Sequence, residues 1–316
     1  MRMSRCNLVV CLVIAAPVSV AWAALAANAG DSQAGNGAVM NERFIEVLDS
    51  DVLLRLWEQE VEGGLIAPFY SIALDGRTYS RSRQTDYVIK LRYSNFDPTV
   101  ATPNVPAALA AGEDSELYLV QFVVPPLEQF REEIRALGGT VLRFMANHTH
   151  IVRMNAMSSE AVAELPFVGW VGRFHAAYKA DDEILAAYAA GFPESEAVRF
   201  SIEVFERGAA QQTAVKTVIE AAGGVVHFIT PLGFRMEATL TPQLLLGVLH
   251  MDEVHVAHPK HFGDAEDMDV VRQISGANFI ESTLGFTGQG VRGESFDSGF
   301  QINHQDFTPT PIWRTA

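Results

Sequence analysis

The chain has 316 residues, 48% of them hydrophobic and 19% charged, with a formal net charge of −15. That balance supports real cores and excludes wholesale disorder, and the length suits two or three domains. No basic face is evident to offset the acidic charge, which argues against nucleic acid and anionic membrane as partners.

Met1 to Arg5 form a short basic start, and an uncharged apolar run follows from Cys6. Ala21-Trp22-Ala23 and Ala24-Leu25-Ala26 both fit the small-x-small rule for signal cleavage, so residues 1–26 are expected to be a signal peptide. A retained membrane anchor is the competing reading, because the run is long enough to span a bilayer. Pro17 and the Ala-rich end favour cleavage. Both cysteines, Cys6 and Cys11, fall inside the segment. The mature chain then has no disulfide, thiolate metal site or cysteine nucleophile. It reads as an acidic protein that is secreted or periplasmic, with no membrane contact after cleavage.

Residues 27–40 are small and polar. Phe44, Ile45, Leu48, Val52, Leu53 and Leu56 recur at helical spacing, predicting a helix over 43–60. Residues 69–82 read as a hairpin turning at Asp75-Gly76, and residues 85–96 as a further strand. Residues 97–115 carry three prolines and resemble a linker. Residues 27–115 are thus an N-terminal region with a small α/β segment and a linker.

Residues 116–122 read as a strand, and 126–139 as an amphipathic helix ending on glycine. Residues 140–154 read as two strands around a turn near Asn147. A helix from the N-cap Ser158 and a closing strand at 167–175 complete the set. The same order returns about 85 residues on. There are strands at 198–205, within 225–240 and at 252–259, and helices at 209–224 and 241–251. Gly138-Gly139 and Gly223-Gly224 stand at matching points. Each unit, 116–180 and 197–262, is βαββαβ, an order that folds into a four-stranded antiparallel sheet with two helices on one face. The other face needs a partner or must be polar. An acidic connector at 263–269 and a short helix at 269–280 lead to the last segment.

That segment runs from Gly285 to Phe307 as GFTGQGVRGESFDSGFQINHQDF. It contains Gly-x-Thr-Gly-x-Gly-Val, then Asp297-Ser298-Gly299 at the end of a strand-like run, then His304-Gln305-Asp306. It resembles the start of the catalytic domain of subtilisin-like serine peptidases, here residues 276–316. The resemblance implies an α/β catalytic domain in which Asp297 is the catalytic carboxylate. There it would accept the Nδ1–H of the triad histidine and fix the tautomer that deprotonates the serine. The family places its triad in the order Asp, His, Ser. After Asp297 the chain offers Ser298, inside the aspartate's own motif, and His304, in the loop position. Two triad members are absent, so the chain is read as the prepro part and first catalytic strand of a longer enzyme. Ser295 departs from the pattern, which has an apolar residue two before the aspartate.

The resemblance also implies that the βαββαβ units are ferredoxin-like propeptide units, which chaperone folding and pack on the catalytic domain. The fold class expected is α+β: two such units in tandem, then the truncated start of an α/β domain. The partner of the complete enzyme would be a peptide or protein substrate, with no cofactor. A stand-alone inhibitor or chaperone acting in trans is the alternative, with the stretch around 258–262 as a substrate-mimicking tail. A third reading is an exported adhesion or ligand-binding module.

Other readings stay open at this level. Phe296 to Gly299 also resembles an aspartic-protease turn, but Phe300 follows and a second carboxylate is lacking. Asp306 reads as a surface carboxylate or a calcium ligand. His250, His255, His258 and His261 suggest a metal, but Val254 and Val256 alternate with His255, which makes a strand with an outward histidine. His148 and His150 flank a turn, and Asn147-His148-Thr149 matches a glycosylation sequon.

Overall fold

The computed structural model describes residues 38–47, 50–191, 197–260, 272–286 and 290. It is a mixed α/β fold with several antiparallel sheets. The chain divides into two units, one up to Lys260 and one from His261.

The N-terminal sheet contains β1 (Val39–Glu46), β2 (Leu53–Glu60), β3 (Ile66–Ala73) and β4 (Arg83–Gln84), in that order and antiparallel. The helix expected over 43–60 is therefore two paired strands, next to which Val47 N–H donates to the Val52 carbonyl at 3.0 Å. The pattern misleads because β2 is buried on both faces. Leu54 and Leu56 face the main core while Trp57 and Gln59 fill the opposite side. A strand buried on both faces loses its period-two signature. The Asp75-Gly76 turn forms as expected, with Asp75 Oδ1 accepting the N–H groups of Arg77 (3.0 Å) and Thr78 (2.7 Å). Gly76 has φ +68°, a conformation that side chains rarely adopt. The strand predicted over 85–96 is a small hairpin of β5 (Ile89–Lys90) and β6 (Asn95–Phe96).

The first βαββαβ repeat comprises β7 (Leu117–Phe122), α1 (Glu128–Ala136), β8 (Thr140–Met145), β9 (Thr149–Arg153), α2 (Ala156–Ala163) and β10 (Val168–Arg173). A 3-10 turn (Ala176–Lys179) and α3 (Asp182–Ala189) lead to the second. That repeat comprises β11 (Val198–Val204), α4 (Ala209–Ala221), β12 (Val225–Ile229), β13 (Arg235–Leu240), α5 (Pro242–His250) and β14 (Val254–Pro259). The sheets run β10-β7-β9-β8 and β12-β13-β11-β14, all pairs antiparallel. Counted within each repeat, both have the strand order 4-1-3-2.

The doubled glycines mark the same joint in both. Gly138 and Gly223 take φ +88° and +86° as helix caps. A Cβ on Gly139 would lie 2.6 Å from Ile134 Cγ2, and one on Gly224 would lie 2.7 Å from Ile219 Cγ2. Helix α2 begins one turn earlier than expected: Asn155, not Ser158, is the N-cap, and its side chain accepts Ser158 N–H at 2.8 Å.

The helix-facing cores are conventional. Tyr118, Val120 and Phe122 pack with Phe130, Ile134, Val162 and Phe167, and the Phe130 and Phe167 rings stack at 4.2 Å. Leu54, Leu56 and Tyr70 of the N-terminal sheet join this cluster. In the second repeat Phe200, Ile202 and Val204 pack with Val215, Ile219, Leu245 and Val248. Ala176, Ala180 and Ile184 belong to this second core, and Ala180 bridges Ala257 on the edge strand β14. The segment between the repeats thus shields an edge that would otherwise invite pairing.

The stretch read as a linker, 97–115, is packed. Leu109 is 1% exposed, the Tyr93 hydroxyl donates to the Asn104 carbonyl, and Ala111 N–H donates to His175 Nδ1 at 2.9 Å. Its prolines shape a fixed connection rather than a flexible one.

In the unit from His261, helix α6 (Ala277–Leu284) lies between Gly276 and Gly285, both left-handed at φ +77° and +69°. Residues 272–274 are helical as well, so the helix expected over 269–280 is present in part and is interrupted at the left-handed Gly276. Arg272 pairs with Glu281 across its first turns.

Candidate functional site

Asp297, the one residue assigned a catalytic role, lies outside the described residues, as do Ser298, Gly299, His304 and Asp306. The acidic connector at 263–269 and His261 lie outside them too. What the structure does describe is the pair of repeats, and their two helix-free sheet faces differ in chemistry.

In the first repeat that face is apolar and filled. Leu117, Leu119 and Ile151 lie under Ile89, Leu91 and Phe96 of the β5–β6 hairpin, with Phe174, Phe205 and Trp170 completing the cluster. Gln121 and Thr149 at the end of the face are also buried, and Gln121 Nε2 donates to the Tyr87 and Asn147 carbonyls.

In the second repeat the same face is polar. Along β11 the side chains Arg199, Ser201 and Glu203 alternate with core residues, and on β13 Arg235, Glu237 and Thr239 do the same. Ser201 lies between Glu237 and His258 in one cross-strand row. Glu237 is 2% exposed and is held by Arg199 Nε at 3.0 Å and by a close contact from Arg235. Burial pushes its carboxyl upward, but the hydrogen bonds and charges of both arginines outweigh that and hold it below the usual glutamate range. At the rim Phe228 and Val225 are 40% and 55% exposed, and Arg235 lies over the Phe228 ring at 5.8 Å. Among the described residues, none of this face's side chains enters a buried apolar cluster. Ser201 Oγ is buried and has no hydrogen-bond partner. The face is polar, with Ser201 and Glu237 covered and the Arg199 and Arg235 side chains reaching solvent around them.

The alternation that builds this face was legible in VRFSIEV and RMEATL, where polar and apolar residues take turns. The pairing of Glu237 with Arg199 was not, because it joins residues 38 positions apart.

The histidines are engaged in packing. His148 Nε2 lies 2.6 Å from Thr85 Oγ1, His150 Nδ1 lies 3.1 Å from the Arg143 carbonyl, and His250 Nε2 lies 3.0 Å from the Ala108 carbonyl. His255, expected to face outward, packs on the Phe205 ring at 5.0 Å, because a register shift in β14 turns it toward the first repeat. Among the described residues no group of three or more His, Cys, Asp or Glu is arranged to hold a metal. At the sequon, Asn147 Nδ2 donates to Asp86 Oδ1 (2.5 Å) and to the Val88 carbonyl (2.6 Å). The amide that a glycan would take is already bound.

A family model described as Domain of unknown function (DUF8729) matches residues 90–175. No curated protein and no solved structure matches the chain. The matched stretch begins in the β5–β6 hairpin and ends at His175. It therefore takes in the first repeat together with most of the segment that fills its helix-free face.

Proposed function

We propose that this chain is the N-terminal, prepro part of an exported subtilisin-like serine endopeptidase, inactive by itself, with Asp297 as the carboxylate that orients the triad histidine. Both repeats read as ferredoxin-like propeptide units. The shared 4-1-3-2 order and the repeated glycine joint support this, as does their position immediately before the Gly285–Phe307 motifs. Residues 1–26 would direct export, placing the product outside the cytoplasm, and the substrate would be a peptide or protein.

The observation that carries the reading furthest is the difference between the two helix-free faces. A propeptide sheet packs through that face on its catalytic domain. In the first repeat it is filled by Ile89, Leu91 and Phe96, whereas in the second Arg199, Arg235, Phe228 and Val225 reach solvent around a covered Ser201 and Glu237. The second repeat would therefore dock and the first would act as its scaffold. In the alternative, the same face would serve an inhibitor or chaperone acting in trans.

The test adds the chain lacking residues 1–26 to a subtilisin-like peptidase and follows hydrolysis of a chromogenic peptide. Dose-dependent inhibition is expected, weakened about tenfold by Phe228→Glu, which puts a carboxylate on the docking face. No inhibition at any concentration, or inhibition indifferent to Phe228→Glu, contradicts docking through this face.

A further inference from the structure

One stretch runs against the acidity of the chain. Between Arg77 and Arg92 lie five basic side chains (Arg77, Arg81, Arg83, Lys90 and Arg92) and one acidic, Asp86. All five basic residues are exposed. The surplus of four positive charges stands in a protein whose total is −15. The overall composition hides this basic stretch.

The fold explains the exposure. Ile89 and Leu91 are buried over the first repeat, so Lys90 and Arg92 beside them point to solvent. Arg83 is on β4, the last strand of its sheet, and among the described residues no strand pairs with its outer side. Beside it opens a groove of about 620 Å³ lined by Val61, Glu62, Phe69, Arg81, Ser82 and Arg83 with Gln84. The stack of Phe69 on Trp57 at 5.8 Å gives this groove a rigid apolar wall.

We propose that this rim binds a short acidic segment of another polypeptide in extended conformation. It would lie along β4, with carboxylates toward Arg77, Arg81 and Arg83 and an apolar side chain in the groove. An unpaired strand edge offers main-chain hydrogen bonds that only a polypeptide can complete. Charge decides between a short ligand and an extended polyanion. The field of the rim reaches only about 8–10 Å at physiological salt, enough for a few carboxylates. A membrane or nucleic acid would also meet the rest of the chain, which carries −19. This site is distinct from the sheet face discussed above, and the proposal does not depend on it.

The experiment titrates the chain lacking residues 1–26 into a fluorescein-labelled ten-residue peptide of alternating Glu and Val, read by anisotropy at 50 and 300 mM NaCl. Heparin and phosphatidylglycerol vesicles serve as competitors. Saturable binding that weakens with salt is expected, with Arg77→Gln/Arg81→Gln about five- to tenfold weaker. Lys90→Gln/Arg92→Gln, on the hairpin, provides a second variant and should weaken binding less. Unchanged circular dichroism confirms that both variants fold. The proposal is overturned by no binding of the peptide, by equal binding of Arg77→Gln/Arg81→Gln, or by tighter association with heparin or vesicles than with the peptide.

Discussion

Lys179 is 2% exposed and its Nζ donates to the Met251 carbonyl at 2.7 Å, tying the segment after the first repeat to the second. Burial lowers its pKa to about 8, against the pull of Asp252 and Glu253. Between pH 8 and 10.5 the unfolded chain then binds more protons at this site than the folded one, so stability rises with pH. The neighbouring Tyr178, pushed up to about 12 by burial, reverses the trend above pH 10, where the unfolded tyrosine ionises first. Urea unfolding should show a rise of order 1–3 kcal/mol from pH 8 to 10. Lys179→Met should flatten it while leaving the fall above pH 10.

His148, His150, His175 and His255 all have pKa values depressed below 6.5, chiefly by burial. Three of them sit at joints: His148 against Thr85, His175 against Ala111, and His255 against Phe205. Because the unfolded chain takes up protons first, stability is complete above pH 6.5 and is lost as the pH falls through the depressed folded values. The urea midpoint at pH 5.5 should lie below that at pH 7.5. A midpoint unchanged over that range contradicts the burial of these rings.

At the scale of elements, the joint after the first helix of each repeat gives a paired test. Gly139→Ala would press on Ile134 and Val152, and Gly224→Ala on Ile219 and Leu244. Each should cost about 1–3 kcal/mol by overpacking, and to a similar extent. A large cost at one and none at the other would show that the joints are not equivalent. The repeats were legible in the sequence because their strands alternate and their helices end on glycine. The N-terminal sheet was not, because β2 is buried on both faces and its apolar residues fit a helical spacing equally well. The hairpin that covers the first sheet was also hidden. Ile89, Leu91 and Phe96 reveal their role only through contacts with Leu117, Leu119 and Ile151 across the packed 97–115 connection.

For the whole molecule, two similar repeats differ in one face, apolar and closed by the chain's own hairpin in the first, polar and outside the apolar clusters in the second. Sequence pattern alone supplied the duplication, whereas the difference between the faces needed three-dimensional contacts. Composition likewise concealed the basic rim, since a total of −15 averages over a stretch with five basic side chains and one acidic. Asp297 itself rests on motif spacing, and its role is tested by chemistry. The most direct measurement expresses the reading frame continued past Ala316 and compares peptide hydrolysis by the native product and its Asp297→Asn variant. The account predicts hydrolysis by the native product and a fall of about 10⁴-fold in kcat, with KM little changed, for the variant. Equal turnover by both, or no hydrolysis by the native product, would contradict it.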